Sequence, residues 1–292
     1  MTVAVLDERR PVLGGSTIAA AAGIDPYCSP IRLWLELTGK LQREESEPMR
    51  IGKVLEPAIF TLFKYDGYDV TRTPDAEVRD PFIPWLVGHP DGFGAGDWEG
   101  AVIEAKATGR PTDTLPVHHE AQVQTYMRLS GSGNALVGQL GGMTFQTWHV
   151  EYHPHLADLL LALGEEFVRR VREGVQPAPH GHPDDRDALL SAYTVEPGGR
   201  VRETREVRDW RRELAGLLEA EKARKARIDL LRARITAHMG SADTLVSLHD
   251  EVVATWKETP SRRLDVTRLR AERPDVYDAY TGETMTRRFL LK

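Results

Sequence analysis

No stretch limits the fold of this 292-residue chain more than Gly88-His89-Pro90-Asp91-Gly92-Phe93 followed by Ala101-Val102-Ile103-Glu104-Ala105-Lys106. Read as two arms of a hairpin, it ends in a strand with a strict division of labour. Side chains alternate with period two, so Val102, Glu104 and Lys106 share one face while Ala101, Ile103, Ala105 and Ala107 share the other. An acid and a base stand side by side, roughly 7 Å apart at the Cα by strand rise. Asp91 on the preceding arm reaches the same place across a turn rich in glycine. Two carboxylates and an ammonium that converge make a metal and water site. Left on a solvated face, the same acid-x-Lys pattern is an ion pair worth at most about 1 kcal/mol, so the rest of the chain must decide between the two.

Composition bounds the answer. Apolar residues make up 41% and charged residues 28%, ordinary for a soluble globular protein. The start, Met1-Thr2-Val3-Ala4-Val5, is not a basic region followed by an apolar one, and no apolar run approaches membrane-spanning length. A cytoplasmic protein without a membrane partner is expected. Cys28 is the single cysteine, which excludes an internal disulfide and any multi-cysteine zinc or iron-sulfur site within one chain. The net charge of -6 is unevenly spread: residues 200–292 carry 21 Lys+Arg against 16 Asp+Glu, and residues 1–199 carry 17 against 28. A basic tail follows an acidic main part, and basic charge is what nucleic acid attracts.

Along the chain, Arg9 and Arg10 precede Leu13-Gly14-Gly15-Ser16-Thr17 and an Ala-rich helix ending at Gly23. Free N–H groups at that helix start, a hydroxyl and two arginines make a phosphate pocket, or simply a capped helix. Ser29-Pro30 opens a second helix. A third runs from about Pro48 to Tyr65, with Ile51, Leu55, Ile59 and Leu62 at helical spacing. Glu56 falls beside that stripe with Phe60 and Phe63 on its own side, and a carboxylate among apolar residues is costly to bury without compensation. Strand-like segments near 68–72, 76–79 and 82–87 lead to the hairpin. A helix over 116–129 contains Ala121-Gln122-Val123-Gln124, strands over 134–140 and 144–152 follow, and a long amphipathic helix covers 154–174. The order predicts a mixed α/β sheet flanked by helices. Residues 1–175 form that core, 176–199 read as a Pro, Gly and His linker, and 200–292 form a mainly helical, basic C-terminal extension. Within the extension, Trp210, Leu214, Leu217, Leu218, Ile228, Leu231, Ile235 and Met239 outline one long helix or a helical hairpin. A compact segment with β character over 245–259 and a basic stretch over 261–292 complete it.

Several blocks together are more specific than the hairpin alone. Gly14-Gly15-Ser16, Asp25-Pro26-Tyr27-Cys28-Ser29-Pro30, Trp34-Leu35-Glu36-Leu37-Thr38-Gly39, Gly52-Lys53-Val54-Leu55-Glu56-Pro57, His89-Pro90-Asp91-Gly92, Glu104-Ala105-Lys106 and Ala121-Gln122-Val123-Gln124 follow one another in order. This series resembles the YqaJ-type and lambda exonuclease-like phage recombination nucleases of the PD-(D/E)XK superfamily, over roughly residues 9 to 175. In the tail, Arg273-Pro274-Asp275-Val276-Tyr277 and Thr286-Arg287-Arg288-Phe289 look like the C-terminal extension of some phage members. The sequence departs from the pattern at Ala105, where many relatives carry a bulkier apolar residue, and at His118-His119, where aromatic residues are common and a histidine could shuttle protons.

The resemblance implies a restriction-endonuclease-like core and a Mg²⁺-dependent 5′-to-3′ exonuclease, with Mn²⁺ as the alternative ion. Its substrate would be linear double-stranded DNA, left with 3′ single-stranded tails for phage-type recombination. Asp91, Glu104 and the Ala105 carbonyl would hold the metal, with Glu56 assisting. Lys106 would orient the attacking water and Gln122 support it, with Gln124 as the alternative. Ser16 and Arg9 or Arg10 would hold the 5′-phosphate, and Gln124 would contact the DNA. It also implies DNA ends and a single-strand annealing protein as partners, a homo-oligomeric ring, and the cytoplasm of a bacterial host. Carboxylates held within about 4 Å repel by about 4 kcal/mol at an effective dielectric near 20, which a divalent cation removes, and oxygen ligands favour Mg²⁺ or Mn²⁺ over zinc. The alternatives are a structure-specific or restriction-type endonuclease on the same fold and a catalytically inactive DNA-binding subunit. A zinc site from the scattered His149, His153, His155, His180 and His182 is the weakest reading.

Overall fold

The structure is a computed structural model that describes residues 13–43, 45–282 and 287–292. It divides into two compact units, 1–195 and 196–292.

The first unit opens with a short strand β1 (Leu13–Gly14), a 3-10 turn at Gly15–Thr17 and helix α1 (Ile18–Ala21). Helix α2 (Pro30–Leu37) follows, capped by Ser29, whose hydroxyl accepts the Arg32 N–H, and started by a proline whose missing N–H costs nothing there. Helix α3 (Glu47–Tyr65) is capped in the same way by Ser46. Strands β2 (Val70–Arg72), β3 (Leu86–Val87), β4 (Gly92–Gly94) and β5 (Val102–Thr108) lead to helix α4 (Val117–Ser130), then to β6 (Asn134–Gly141) and β7 (Thr144–Glu151), and finally to α5 (Pro154–Glu173) and α6 (Asp185–Ala192).

The central sheet has the order β2-β4-β5-β6-β7, with β5 and β6 parallel and the other pairs antiparallel. A parallel pair needs a crossover, and α4 provides it. That connection lays α4 on one face of β5, where Val102 packs with Val123, Tyr126 and Met127. On the other face Ile103 packs with Ile59, Phe63 and Leu136, so α3 covers that side. A third cluster joins α1, α2, α5 and α6 beside α4. This is the mixed sheet flanked by helices expected of a restriction-endonuclease-like core.

Three local expectations are corrected. Residues 76–79 form no strand; Val78 makes one isolated bridge to Gly88. Of 82–87 only Leu86–Val87 are extended, because Asp80 caps a turn by accepting the Phe82 N–H. The segment read as a linker contains α6, which seats Ala188 in the core and brings Asp184 onto Arg32, with Oδ1 to Nη2 at 2.5 Å. Its Pro and Gly content set the turns but did not prevent docking.

In the second unit, the region beyond Arg200 is one helix, α7 (Arg205–Met239), capped by Thr204. A hairpin of β8 (Thr244–Val246) and β9 (Val252–Thr255) and two short helices, α8 (Val266–Glu272) and α9 (Pro274–Ala279), follow. Among the described residues no helix is long and apolar enough to cross a membrane.

Candidate active site

Strand alternation places Glu104 and Lys106 on the α4 face, and their side chains meet: the Lys106 ammonium donates to Glu104 Oε1 at 2.6 Å. One turn of α4 aims Gln122 at the same pair. Its Oε1 accepts from Lys106 at 2.9 Å and its Nε2 donates to Glu104 Oε1 at 2.7 Å and to the Tyr126 hydroxyl at 3.0 Å. Glu104 is 3% exposed, and its second oxygen, Oε2, is buried without a hydrogen-bond partner. Asp91 ends the segment before β4, and its Oδ2 accepts the Ala105 N–H at 2.8 Å. The antiparallel pairing of Gly92 with Ile103 enforces this approach.

Burial and the nearby Glu104 carboxylate push the Asp91 carboxyl up to about 8, against the Ala105 N–H and Lys106. Burial raises Glu104 as well, opposed by Lys106 and Gln122. A buried and a half-buried carboxylate thus lie within the field of one ammonium, which of the two is hydrogen-bonded to Glu104 alone, and Glu104 keeps one oxygen without a partner. Such a donor set, all oxygen and short of positive charge, fits a hard divalent cation. Glu56 lies near enough to raise both acids electrostatically, but its own Oε1 is engaged by Arg72 Nε at 2.6 Å. The compensation that a carboxylate among apolar residues requires is thus present: β2 supplies a guanidinium. Among the described residues no three Asp, Glu, His or Cys side chains form a ready ligand cluster.

The remaining expected residues separate. Ser16 is exposed at the helix start, with Gly15 beside it pressed against the Tyr126 ring. Thr17 hydrogen-bonds back to Gly14 and does not cap α1. Gln124 is corrected as a DNA-contacting residue. It is fully buried, donating to the Glu151 carbonyl and accepting the His153 N–H, because its helical position turns it toward β7 and α5. Arg9 and Arg10 lie outside the described residues, as does Thr286 of the tail motif. The histidines scatter: His149 rests on Trp98 and Tyr68, and His182 bonds the Asp25 carbonyl. His119 stands near Lys106 with its Nδ1 buried and unpartnered; burial and the Lys106 charge lower it to about 2, so it stays neutral.

Sequence reasoning missed Tyr126 and Arg72. The first had a signal, since Gln122 and Tyr126 are four apart on one helix face. The second had none, because its meeting with Glu56 depends on how β2 packs on α3.

Residues 6–133 match the YqaJ-like viral recombinase domain, a span that includes Glu56, Asp91, Glu104, Lys106 and Gln122. Over that span the chain is similar to this family. It is 26% identical to the uncharacterized protein YqaJ of Bacillus subtilis (strain 168), across 98% of this chain and 93% of that protein. The alkaline exonuclease LHK-Exo of Laribacter hongkongensis is similar in structure at a TM-score of 0.43 and 17% identity, covering 61% of this chain and 94% of that one. A phage-related exonuclease from Haemophilus somnus 129PT gives 0.42 and 11%, covering 56% and 95%.

Proposed function

We propose that the chain is a metal-dependent deoxyribonuclease that digests linear double-stranded DNA from its 5′ ends, leaving 3′ single-stranded tails for recombination. A nuclease is the reading that the YqaJ-like domain and the site share. The observation that carries it is the orphaned, buried Glu104 Oε2 beside Asp91, with Lys106 and Gln122 closing the other side.

Asp91, Glu104 and the Ala105 carbonyl would hold a divalent ion, Mg²⁺ or Mn²⁺ by the oxygen donors, with Glu56 supporting from its pairing with Arg72. Such an ion, when bound, neutralises the phosphate and lowers the pKa of a coordinated water. The protein's own residues do the rest. Lys106 is fixed by two acceptors, which leaves one N–H that would orient the attacking water. Gln122 is locked between Glu104, Lys106 and Tyr126, so the ammonium is positioned before substrate arrives. Ser16, with an arginine at 9 or 10, would anchor a 5′-phosphate and set the polarity.

A 5′-labelled linear duplex beside a covalently closed circle tests this reading. The linear form should disappear as 5′-mononucleotides while the circle persists, and removing the 5′-phosphate should slow digestion. A nicked circle would instead assign an endonuclease, and an untouched linear duplex would refute hydrolysis.

A further inference from the structure

Helix α7 runs for 35 residues, about 52 Å at 1.5 Å per residue, and only Met239 in it is buried. Its apolar residues are nonetheless ordered. Val207, Trp210, Leu214 and Leu217 recur at alternating steps of three and four, and Ile228, Leu231, Ile235 and His238 continue the same register. The two positions between them, which complete almost five heptads, are Glu221 and Arg224. A period of 3.5 sustained over this length marks a coiled-coil seam rather than a face for a globular core, whose period is 3.6. Trp210, Leu217, Ile228, Leu231 and Ile235 on it are each more than 40% exposed.

The seam is self-complementary when reversed. About a two-fold axis between Lys222 and Ala223, Leu217 stands opposite Ile228, Leu214 opposite Leu231 and Trp210 opposite Ile235, while each Glu221 meets an Arg224. In a parallel pair the same residues would set Glu221 against Glu221 and Arg224 against Arg224. Burying like charges in a seam is strongly unfavourable, whereas opposite charges there fix register and direction. Neighbouring charges on the helix are already used within the chain: Arg208 and Arg211 pair with Glu203, Arg212 with Asp209 and Arg232 with Asp229. Among the described residues Glu221 and Arg224 make no ion pair.

We propose that α7 pairs with α7 of a second copy of this chain as an antiparallel, two-fold coiled coil, registered by reciprocal Glu221 and Arg224 contacts. Two-fold pairing of one surface with itself is the commonest closed assembly and needs no other partner. It is a pair, not the ring expected from the family resemblance, and it does not depend on the nuclease reading because its readout is mass.

Sedimentation of the full-length chain at micromolar concentration should give twice 32.7 kDa. Glu221→Arg should weaken the dimer about 100-fold or more, since like charges then face each other at the axis. Combining it with Arg224→Glu restores facing opposite charges and should restore the dimer, which controls for misfolding of the single variant. Direction is read by cross-linking. A mixture of Leu217→Cys and Ile228→Cys chains should form a disulfide, and neither variant alone should. A monomeric wild type would overturn the proposal, as would an oligomer indifferent to Glu221→Arg or self-cross-linking of Leu217→Cys.

Discussion

A methyl group on Gly15 would lie 2.2 Å from a ring carbon of Tyr126, and one on Gly88 would lie 2.9 Å from another. Two glycines from separate segments thus make room for the ring whose hydroxyl holds Gln122, and through it Glu104 and Lys106. Gly15→Ala is expected to destabilise the first unit by about 1–3 kcal/mol and to lower the digestion rate, because the ring must shift. A wild-type rate and melting temperature would show that the ring has slack. His119 gives a second test. Its folded value is depressed below the ordinary one near 6.5, so the unfolded chain binds the extra proton. Stability contributed by neutral His119 is therefore present above about pH 6.5 and lost as pH falls below it, toward the folded value. Denaturation midpoints between pH 7.5 and 5 should fall less steeply in His119→Gln than in wild type. Among these side chains, the Glu104 and Lys106 pair was legible because period two is a local property of the backbone. The i,i+4 spacing of Gln122 and Tyr126 was equally local, but the room for the ring was not legible, because it depends on glycines about forty and a hundred residues away in the chain.

The elements show the same divide. Helices α3, α4 and α5 and strands β6 and β7 were readable from caps and periodicity, which act within a few residues. The segment before α6 was misjudged because its Pro and Gly content describes turns, not what they dock against. Asp184 accepts from Arg32 Nε and Nη2 and from the Ser29 N–H, joining residues 152 apart to the cap of α2. Asp184→Asn is expected to destabilise the first unit by about 1.5–3 kcal/mol, the worth of hydrogen bonds to a charged group. Unfolding followed by the fluorescence of buried Trp34 should show it, and an unchanged midpoint would mean that α6 is held by Ala188 and its apolar neighbours alone.

Over the full chain, charge is divided between an acidic first part and a basic C-terminal one, and DNA binding should carry that signature. Replacing Arg262 and Arg263 by Gln should flatten the dependence of log affinity on log salt by up to about two, near 0.9 for each phosphate no longer neutralised. An unchanged slope would place the DNA elsewhere. The basic bias was visible in the sequence, whereas the single long helix within it was open between one helix and a hairpin, since both share a helical period. Everything proposed for the enzyme turns on hydrolysis occurring at the Asp91, Glu104 and Lys106 centre. Release of acid-soluble nucleotide from linear duplex in Mg²⁺ reads this out, comparing wild type with Lys106→Met at matched circular dichroism. Wild type should release nucleotide steadily and the variant at least about 10²-fold more slowly, the scale of removing one positioned catalytic group. Release by Lys106→Met at the wild-type rate would refute that centre.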